Sequence, residues 1–446
     1  CSSDLTVSTA SQVVPPCEDS SQLPSQARVP CLGLAVFAAG TSVDVRADAV
    51  VRAGAGLRFN YQLVNAAAVF IGSAASLSAL LADSNVLAII PDRPIYAIEK
   101  PAAPGGKKGG NNSGGDSTQV LPAGVESIGA PAAWSTATGA GVGVAIADTG
   151  IDFSHADLAV ASPCYDAFGG NCQDGHGHGT HVAGIVAALN NSSDVVGVAP
   201  DATVYAVRVL DQNGSGSDAT VMAGLEWVAQ NAASVNPPIQ VVNMSLGRAG
   251  SLDDNLLLRA SIANLHASGI SVIVAAGNDP TTEVSQQVPA TYPEVMAIAS
   301  TSALGGKNSC KFYNGSVQAT SASYFTTDGR LDPGTGIGVT ISAPGEKQED
   351  INRGCFVQST GILSLNAGGG TTRMSGTSMA APHVAGVAAL MQQQANGTLS
   401  PEEIQRIIRD GAQQFGGAPL DSPTSSYTFD GEREGVISAC AVIGAC

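Results

Sequence analysis

Residues 375–386 read SGTSMAAPHVAG, a run of small residues that leads into an apolar stretch ending near Gln394. This pattern predicts a tight turn followed by a helix, with Ser378 at the start of that helix. A hydroxyl group there lies at the positive end of the helix dipole, where a backbone N–H can meet a developing oxyanion. A serine hydroxyl is a weak nucleophile without a base, and an isolated serine at a helix start is usually a cap.

Two upstream stretches supply candidates for the base and its partner. The apolar strand pattern of residues 142–147 ends in DTGID, which places the Asp148 carboxylate at the carboxyl end of a parallel strand, facing the crevice where α/β proteins bind ligands. Residues 174–184 read DGHGHGTHVAG and place His178 at the start of another apolar helix. The order along the chain is therefore Asp148, His178, Ser378.

The motifs DTGID, GHGTHVAG and SGTSMAAPHVAG resemble those of the subtilases, the subtilisin-like serine proteases, and they occur in the order of that family. The resemblance runs from about Gln119 to about Phe415. It implies that residues 119–446 have an α/β, subtilisin-like three-layer fold with a mainly parallel central sheet. It also implies that Ser378 is the nucleophile, His178 the general base and Asp148 the residue that orients the imidazole.

A histidine-bound metal is the rival interpretation of this region. His178 and His181 share a helix face and His176 is close in sequence, but no carboxylate follows in the HExxH manner. The triad accounts for His178 without a metal. The remaining histidines are expected to be structural, namely His155, His181, His266 and His383.

The oxyanion and the substrate backbone need their own partners. Residues 275–278 read AAGN after an apolar strand, and the resemblance assigns the Asn278 amide as an oxyanion donor together with the Ser378 N–H. An asparagine in such a turn also often serves only local hydrogen bonds. By resemblance, Ser215 and Gly216 form one edge of the substrate cleft, and Ser245, Leu246 and Gly247 form the other, so that peptides bind by strand addition. Residues 279–289 depart from the forms of the family we know, so side-chain specificity is left open.

Residues 189–200 resemble the loop that forms a calcium site in many subtilases. Calcium takes six to eight oxygen ligands from carboxylates, amides and carbonyls. The matching positions are the side chains of Gln119, Asp157 and Asn191 and the carbonyl groups of Leu189, Ser193 and Val195. The alternative is an ordinary loop between a helix and a strand. We expect a calcium ion there to be structural and not catalytic.

The chain before the catalytic region divides into three parts. Residues 1–30 are polar and Pro-rich and are interpreted as a flexible tether, and residues 101–118 as a Gly-rich linker. Residues 31–100 resemble the small α+β inhibitory propeptide domain of subtilases, which assists folding and lays its C-terminal tail in the active site. An unrelated α+β domain is the alternative. Because an exposed Gly-rich linker is where proteolytic nicking concentrates, we expect self-processing between Lys100 and Gln119, near residues 117–119.

Periodicity predicts alternating strands and helices from Gln119, as a parallel sheet covered on both faces requires. Residues 305–338 and 346–354 are interpreted as insertions. Within residues 63–82, a strand followed by a helix is favoured over a membrane span, because the apolar run is short of about 20 residues. The predicted catalytic-region strands are 142–147, 203–209, 240–244, 271–275 and 295–300, and the predicted helices are 178–189, 217–231, 254–268, 377–394 and 401–409.

Composition sets the remaining limits. A formal net charge of −17 argues against nucleic-acid binding. Nine cysteines without CxxC or Cys/His metal spacing favour disulfides in an oxidising compartment, although eight cysteines alone allow 105 pairings. The favoured pairs are Cys164–Cys172, Cys310–Cys355 and Cys440–Cys446.

That choice leaves Cys1, Cys17 and Cys31 with one odd member. The sequence starts without Met or a signal peptide, so its numbering is expected to begin at a processed or trimmed end. Cys1 is either a lipid-bearing N-terminal residue ahead of the tether, a disulfide partner, or the result of a trim. Together these observations predict a secreted, monomeric serine endopeptidase that acts on proteins or peptides and is inhibited by its own propeptide. A catalytically silent scaffold on the same fold and an esterase using the same serine are the alternatives.

Overall fold

The computed structural model describes residues 32–98, 118–312, 318–412, 414–415 and 434–446. The predicted tether, nearly all of the predicted linker, and Cys1, Cys17 and Cys31 lie outside these residues. Within the described residues, none of the helices is both long and apolar enough to cross a membrane.

Residues 32–98 form a small α+β unit, as predicted. Its elements are β1 (Leu32–Phe37), α1 (Val43–Arg52), β2 (Gly56–Asn60), β3 (Ala66–Phe70), α2 (Ala74–Ala82), β4 (Val86–Pro91) and β5 (Pro94–Ala97). The antiparallel sheet has the order β2-β3-β1-β4, and Phe37, Val50, Leu80 and Ile89 are buried in the core of the unit. The predicted strand and helix within residues 63–82 are present, whereas β1 and α1 were not predicted.

The catalytic region is an α/β fold in which the predicted elements lie within about two residues of their expected bounds. The first half, up to the middle of the sheet, consists of α3 (Ala123–Ser127), α4 (Ala130–Ala133), β6 (Gly143–Asp148), β7 (Val160–Asp166), α5 (His178–Ala187), β8 (Thr203–Arg208), β9 (Ser215–Ser217), α6 (Asp218–Asn231), β10 (Ile239–Met244), β11 (Leu246–Ala249), α7 (Leu256–Ala267) and β12 (Ser271–Ala275).

The second half carries two small hairpins before its long helix. It consists of β13 (Gln287–Val288), β14 (Met296–Ser302), β15 (Val339–Glu346), β16 (Gln348–Ile351), β17 (Val357–Thr360), β18 (Ile362–Leu365), β19 (Thr371–Met374), α8 (Thr377–Gln394), α9 (Pro401–Asp410), β20 (Gln414–Phe415), β21 (Gly435–Val436) and α10 (Ala439–Ile443). Among the catalytic-region strands of five or more residues, two were not predicted: β7 contains Pro163 and lacks an apolar run, and β15 contains Pro344. The shorter strands β9, β11, β13 and β16–β21 were not predicted either.

The central sheet has the order β20-β21-β15-β14-β12-β10-β6-β8-β7 and is parallel except between β20 and β21. Helices α5 and α8 pack on one face, and α6 and α7 on the other. Every residue of β6 is buried, as expected for a strand covered on both faces. This arrangement confirms the predicted three-layer fold, and it brings the carboxyl end of β6 beside the first residues of α5.

The three predicted disulfides are present: Cys164–Cys172, Cys310–Cys355 and Cys440–Cys446. The bond between Cys310 and Cys355 ties the two predicted insertions together, and the second insertion contributes to the antiparallel hairpin β16–β17.

Candidate active site

Asp148 and His178 form a buried pair at the carboxyl edge of the sheet. Asp148 is the last residue of β6 and His178 the first of α5. His178 Nδ1 lies 2.8 Å from Asp148 Oδ1 and 3.0 Å from Oδ2, and both side chains are fully buried. A carboxylate in this position fixes the ring orientation and places the Nδ1 proton between the two groups.

Asp174 holds this pair in place, a role that the sequence analysis did not assign. Its Oδ1 accepts hydrogen bonds from the N–H groups of His176 and Gly177, at 2.9 and 2.8 Å, and from Thr149 Oγ1 at 2.9 Å. Its Oδ2 accepts from the Thr180 N–H at 2.9 Å. Asp174 therefore joins the end of β6 to the start of α5. An aspartate just ahead of a helix start is the signal that would have revealed it.

Ser378 lies in the first turn of α8 and is fully buried. Its Oγ is 2.7 Å from the carbonyl oxygen of Ile98 and 3.1 Å from that of Ser245. The N-cap residue of α8 is Gly376, which has no side chain to cap the helix. Ser378 is therefore not the N-cap residue of this helix.

Asn278 faces the same carbonyl group. Its Nδ2 donates to the Ile98 oxygen at 3.1 Å, while its Oδ1 accepts from the N–H and the Oγ1 hydroxyl of Thr377 at 2.9 and 3.0 Å. Because an N–H can only donate, these contacts fix which end of the amide faces Ile98. Thr377 is a second positioning residue that the sequence analysis missed, although it stands beside Ser378 in the motif. Gly376 is required here, since a Cβ would lie 2.7 Å from Asn278 Nδ2.

The five predicted substrate-binding residues line a cleft that holds the chain's own residues 94–98. Strand β5 lies between β9 and β11 in a small antiparallel sheet. The Ala97 N–H donates to the Gly214 carbonyl at 2.9 Å, and the Ile98 N–H to the Ser245 carbonyl at 3.2 Å. The register pairs are Ile95–Gly216, Tyr96–Ser215, Ala97–Leu246 and Tyr96–Gly247.

The side chains of this tail alternate between the cleft and solvent. Ile95 is fully buried in the same apolar cluster as Leu210 and Leu246, whereas Tyr96 is 50% exposed. At Ile98 the tail passes so close to Gly247 that a Cβ on that glycine would lie 2.9 Å from Ile98 Cδ1. The glycine is therefore needed for close approach of the tail to this edge of the cleft.

The four histidines predicted to be structural each contact a local carbonyl or carboxylate group. Burial lowers the pKa of His181 to about 3 and that of His383 to about 4, so both are neutral near pH 7. His181 Nε2 lies 3.1 Å from the Ile362 oxygen, and His383 Nδ1 lies 2.7 Å from the Met379 oxygen. Within the described residues, no group of three or more His, Cys, Asp or Glu side chains is placed to hold a metal ion. His155 Nε2 lies 3.1 Å from the Gly370 oxygen, and His266 Nε2 lies 3.5 Å from Glu402 Oε1.

The predicted calcium ligands converge at the loop after α5. Gln119 Nε2 donates to the carbonyl oxygens of Leu189 and Val195. Asp157 is fully buried; its Oδ2 accepts from the Val195 N–H at 3.2 Å, and its Oδ1 has no hydrogen-bond partner among the described residues. Burial raises the pKa of Asp157 to about 6, opposed by the Val195 N–H and the Asn191 side chain.

The remaining two predicted ligands contact each other, since the Ser193 N–H donates to Asn191 Oδ1 at 2.9 Å. Carbonyl oxygens that converge beside a buried carboxylate match the ligand preference of calcium. The residues present therefore fit such an ion, with Gln119 able to offer its oxygen after an amide rotation.

Comparison with known proteins agrees with this geometry. Residues 139–428 match the model of the subtilase family. The chain is 37% identical to subtilisin Savinase of Lederbergia lenta over 68% of its own length and 95% of that protein. It is 36% identical to alkaline elastase YaB of Bacillus sp. (strain YaB), over 67% of its own length and 66% of the elastase, so this match spans about two thirds of that relative.

Solved structures give the same result. A protease of Pseudoalteromonas arctica matches with a TM-score of 0.55 at 31% identity, covering 71% of this chain and 94% of that one. Fervidolysin of Fervidobacterium pennivorans, a keratinolytic enzyme related to subtilisin, matches with a TM-score of 0.66 over 93% of this chain and 61% of its own. At 21% identity that second likeness concerns the fold alone. The chain belongs to the subtilase family of serine endopeptidases.

Proposed function

We propose that this protein is an extracellular serine endopeptidase that cleaves peptide bonds through an acyl-enzyme and is made as a self-inhibited precursor. One observation carries the proposal: Ser378 Oγ and Asn278 Nδ2 converge on a single peptide carbonyl group. The buried Asp148–His178 pair supplies a base and its orienting carboxylate. The disulfides within the described residues favour an oxidising compartment outside the cell.

The proton transfers follow from the orientation of His178. Asp148 accepts a hydrogen bond from the Nδ1–H group, which keeps the proton on Nδ1. Nε2, on the opposite side of the ring, therefore takes the Ser378 proton as the serine attacks, and later gives it to the leaving amine. Asp148 stabilises the imidazolium that forms between these steps. Full burial of both side chains strengthens this electrostatic interaction, because little water screens it.

The tetrahedral intermediate places negative charge on the former carbonyl oxygen. Thr377 donates two hydrogen bonds to Asn278 Oδ1 and so holds the amide with its Nδ2 facing the carbonyl oxygen, which limits the reorganisation needed as the charge develops. The Ser378 N–H at the start of α8 is the second donor that we assign. Substrates bind as β5 does, with main-chain hydrogen bonds to both cleft edges giving affinity.

Self-inhibition follows from the occupied cleft. Residues 32–98 pack on α6, where the Tyr61 hydroxyl donates to the Ala219 carbonyl at 2.9 Å and Asp92 Oδ1 accepts from the Ala219 N–H at 2.9 Å. Arg93 also pairs with Asp254 at 2.8 Å. These contacts hold the tail between β9 and β11, so a peptide substrate cannot enter until the unit leaves. The unit would thus act as an intramolecular inhibitor.

A calcium ion in the loop after α5 would stabilise the fold. Asp157 and the carbonyl and amide oxygens named above would hold it, and its charge would keep the Asp157 carboxylate ionised. The ion has no part in the proposed proton transfers.

A fluorophosphonate probe tests the catalytic proposal. We expect wild-type protein to be labelled and to digest casein, and the Ser378→Ala variant to do neither. Ser375→Ala is the matched control, since Ser375 lies in the same motif but its Oγ bonds to Ser359 at 2.7 Å. A wild-type protein that is folded, processed and unlabelled would favour a silent scaffold, and turnover of esters without casein would favour an esterase.

A further inference from the structure

The contacts between the N-terminal unit, residues 32–98, and the cleft extend to the residue before β5. The carbonyl oxygen of Arg93 accepts a hydrogen bond from the Asp218 N–H at 2.9 Å. Asp218 is the first residue of α6, and the first N–H groups of a helix have no partner within the helix. Counted back from Ile98, whose carbonyl group contacts Ser378 Oγ, Arg93 is the sixth residue. The cleft therefore offers a main-chain contact to the sixth residue of a bound peptide.

The side chain of Arg93 forms an ion pair with the catalytic region. Its Nη1 lies 2.8 Å from Asp254 Oδ2, and the two side chains are 31% and 16% exposed. Water and salt screen a partly buried pair less than a fully exposed one. Asp254 belongs to the catalytic region, just before α7, so it remains beside the cleft when the N-terminal unit leaves.

Asp254 is part of a charged network that has more negative than positive groups once Arg93 is absent. Arg248 Nη1 lies 3.1 Å from Asp254 Oδ2, while its Nε and Nη2 lie 3.0 and 2.8 Å from the two carboxylate oxygens of Asp218. Two carboxylates against one guanidinium leave a formal charge of −1. Asn255 Nδ2 also donates to Asp218 Oδ2 at 2.8 Å. These contacts hold the network in place, so that it is organised in advance to receive a cation beside Asp254.

We propose that Asp254 is a specificity-determining residue that selects substrates with arginine or lysine at the sixth residue before the cleaved bond. This inference rests on the proposed protease function and adds a substrate class to it. A cationic side chain in place of Arg93 brings the formal charge of the network to zero, an uncharged one leaves it at −1, and an acidic one makes it −2. Because opposite charges attract and like charges repel, the preference for substrates should follow that order.

Cleavage-site profiling of a proteome-derived peptide library tests the proposal. The full chain, incubated until its activity is constant, is the enzyme, and mass spectrometry identifies the cut sites. We expect arginine and lysine to be enriched, and aspartate and glutamate to be depleted, at the sixth residue before the cuts. One cleaved sequence, synthesised with either arginine or glutamine at that position, should give a kcat/KM ratio of about 3 to 10 in favour of arginine, the size expected of a partly exposed ion pair. This ratio does not depend on the fraction of the enzyme that is active.

Two matched variants locate the effect. Asp254→Asn should bring the ratio close to one, whereas Asp253→Asn, which removes the same charge at an exposed neighbouring position, should keep it. A shorter peptide that does not reach the sixth position should be cleaved by both variants at rates within about twofold of wild type. Salt near 1 M should lower the wild-type ratio, since the Debye length then falls to about 3 Å.

The opposite results are equally clear. A ratio of one for wild-type protein, or an equal loss of the preference in both variants, would overturn the proposal while leaving the protease function intact. A preference that persists in Asp254→Asn would do the same. Because the library and the paired peptides are used with wild-type protein, they decide the question even where Asp254→Asn fails to fold. Protein that cuts no peptide and is not labelled by fluorophosphonate would instead contradict the protease function itself.

Discussion

The reacting groups and the tail that reaches them differ in how the sequence encodes them. Asp148, His178 and Ser378 each belong to a short motif that can be recognised without knowing the fold. Residues 94–98, PIYAI, end the stretch that carries the resemblance of the N-terminal unit, which is less specific than the catalytic motifs, yet they hold the central position in the cleft. A reacting side chain must be of one chemical type, whereas strand addition uses main-chain groups that every non-proline residue carries. The tail is therefore defined by its pairing and not by its composition.

The largest effect is expected from Ser378→Ala. This substitution removes the Oγ atom that serves as the proposed nucleophile and that also contacts the Ile98 carbonyl group of the tail. Activity should fall by roughly 10⁶-fold, as loss of a triad serine costs, and the full-length chain should persist because the chain no longer processes itself. Circular dichroism and thermal unfolding should show a folded protein. Residual casein hydrolysis above about 1% of wild type would contradict the assignment of the nucleophile.

The same contrast explains what the sequence could and could not predict. The strand that ends at Asp148 and the helices that begin near His178 and Ser378 have long apolar patterns, so their bounds and the three-layer fold were predictable. Asp174 and Thr377 were missed because they act on backbone N–H groups and on other side chains and not on substrate. The position of Ile98 depends on contacts with Ser378 and Ser245 that are distant along the chain, and no local pattern reports them.

Asn278→Ala should produce the next largest effect and separates transition-state binding from tail binding. Loss of one oxyanion donor typically lowers kcat by about 10²–10³-fold. KM should change little, because the main-chain pairing with β9 and β11 is unaltered. Steady-state kinetics on a fluorogenic peptide measures both constants. A large rise in KM with unchanged kcat would instead make Asn278 a ground-state contact.

Asp92 offers a pH test of the contact that holds the tail. Burial raises the pKa of Asp92 to about 6, against the opposing effect of the Ala219 N–H. A carboxyl group whose pKa is raised on folding stabilises the folded state most at a pH below its ordinary pKa near 4. For Asp92 this contribution to the free energy of unfolding is lost as the pH rises through about 6. The effect is at most about 3 kcal/mol. In a Ser378→Ala background, Asp92→Asn should therefore flatten the decline in unfolding temperature between pH 4 and 7 relative to its parent.

Subtracting the pH profile of the variant from that of its parent cancels the contribution of the other carboxyl groups, because both proteins contain them. Identical pH profiles for the two proteins would mean that Asp92 is hydrated at the contact, and that it does not couple the N-terminal unit to pH.

The smallest expected effect is the shift in thermal stability caused by calcium. It tests whether the start of the catalytic region, at Gln119, is positioned independently of the tail. In the uncut Ser378→Ala precursor, Gln119 should already contribute to the site, because its contacts with Leu189 and Val195 coexist with Ile98 in the cleft. Calcium at 100 times its dissociation constant should add about 2.7 kcal/mol to the free energy of unfolding, which raises Tm by a few degrees. Asp157→Asn should lose this shift, whereas Asp201→Asn, at an exposed position, should keep it.

Calorimetric scans with calcium and with chelator measure the difference. A shift seen in cut wild-type protein but not in the uncut precursor would mean that Gln119 reaches its site only after cleavage, and the two regions would then be coupled after all.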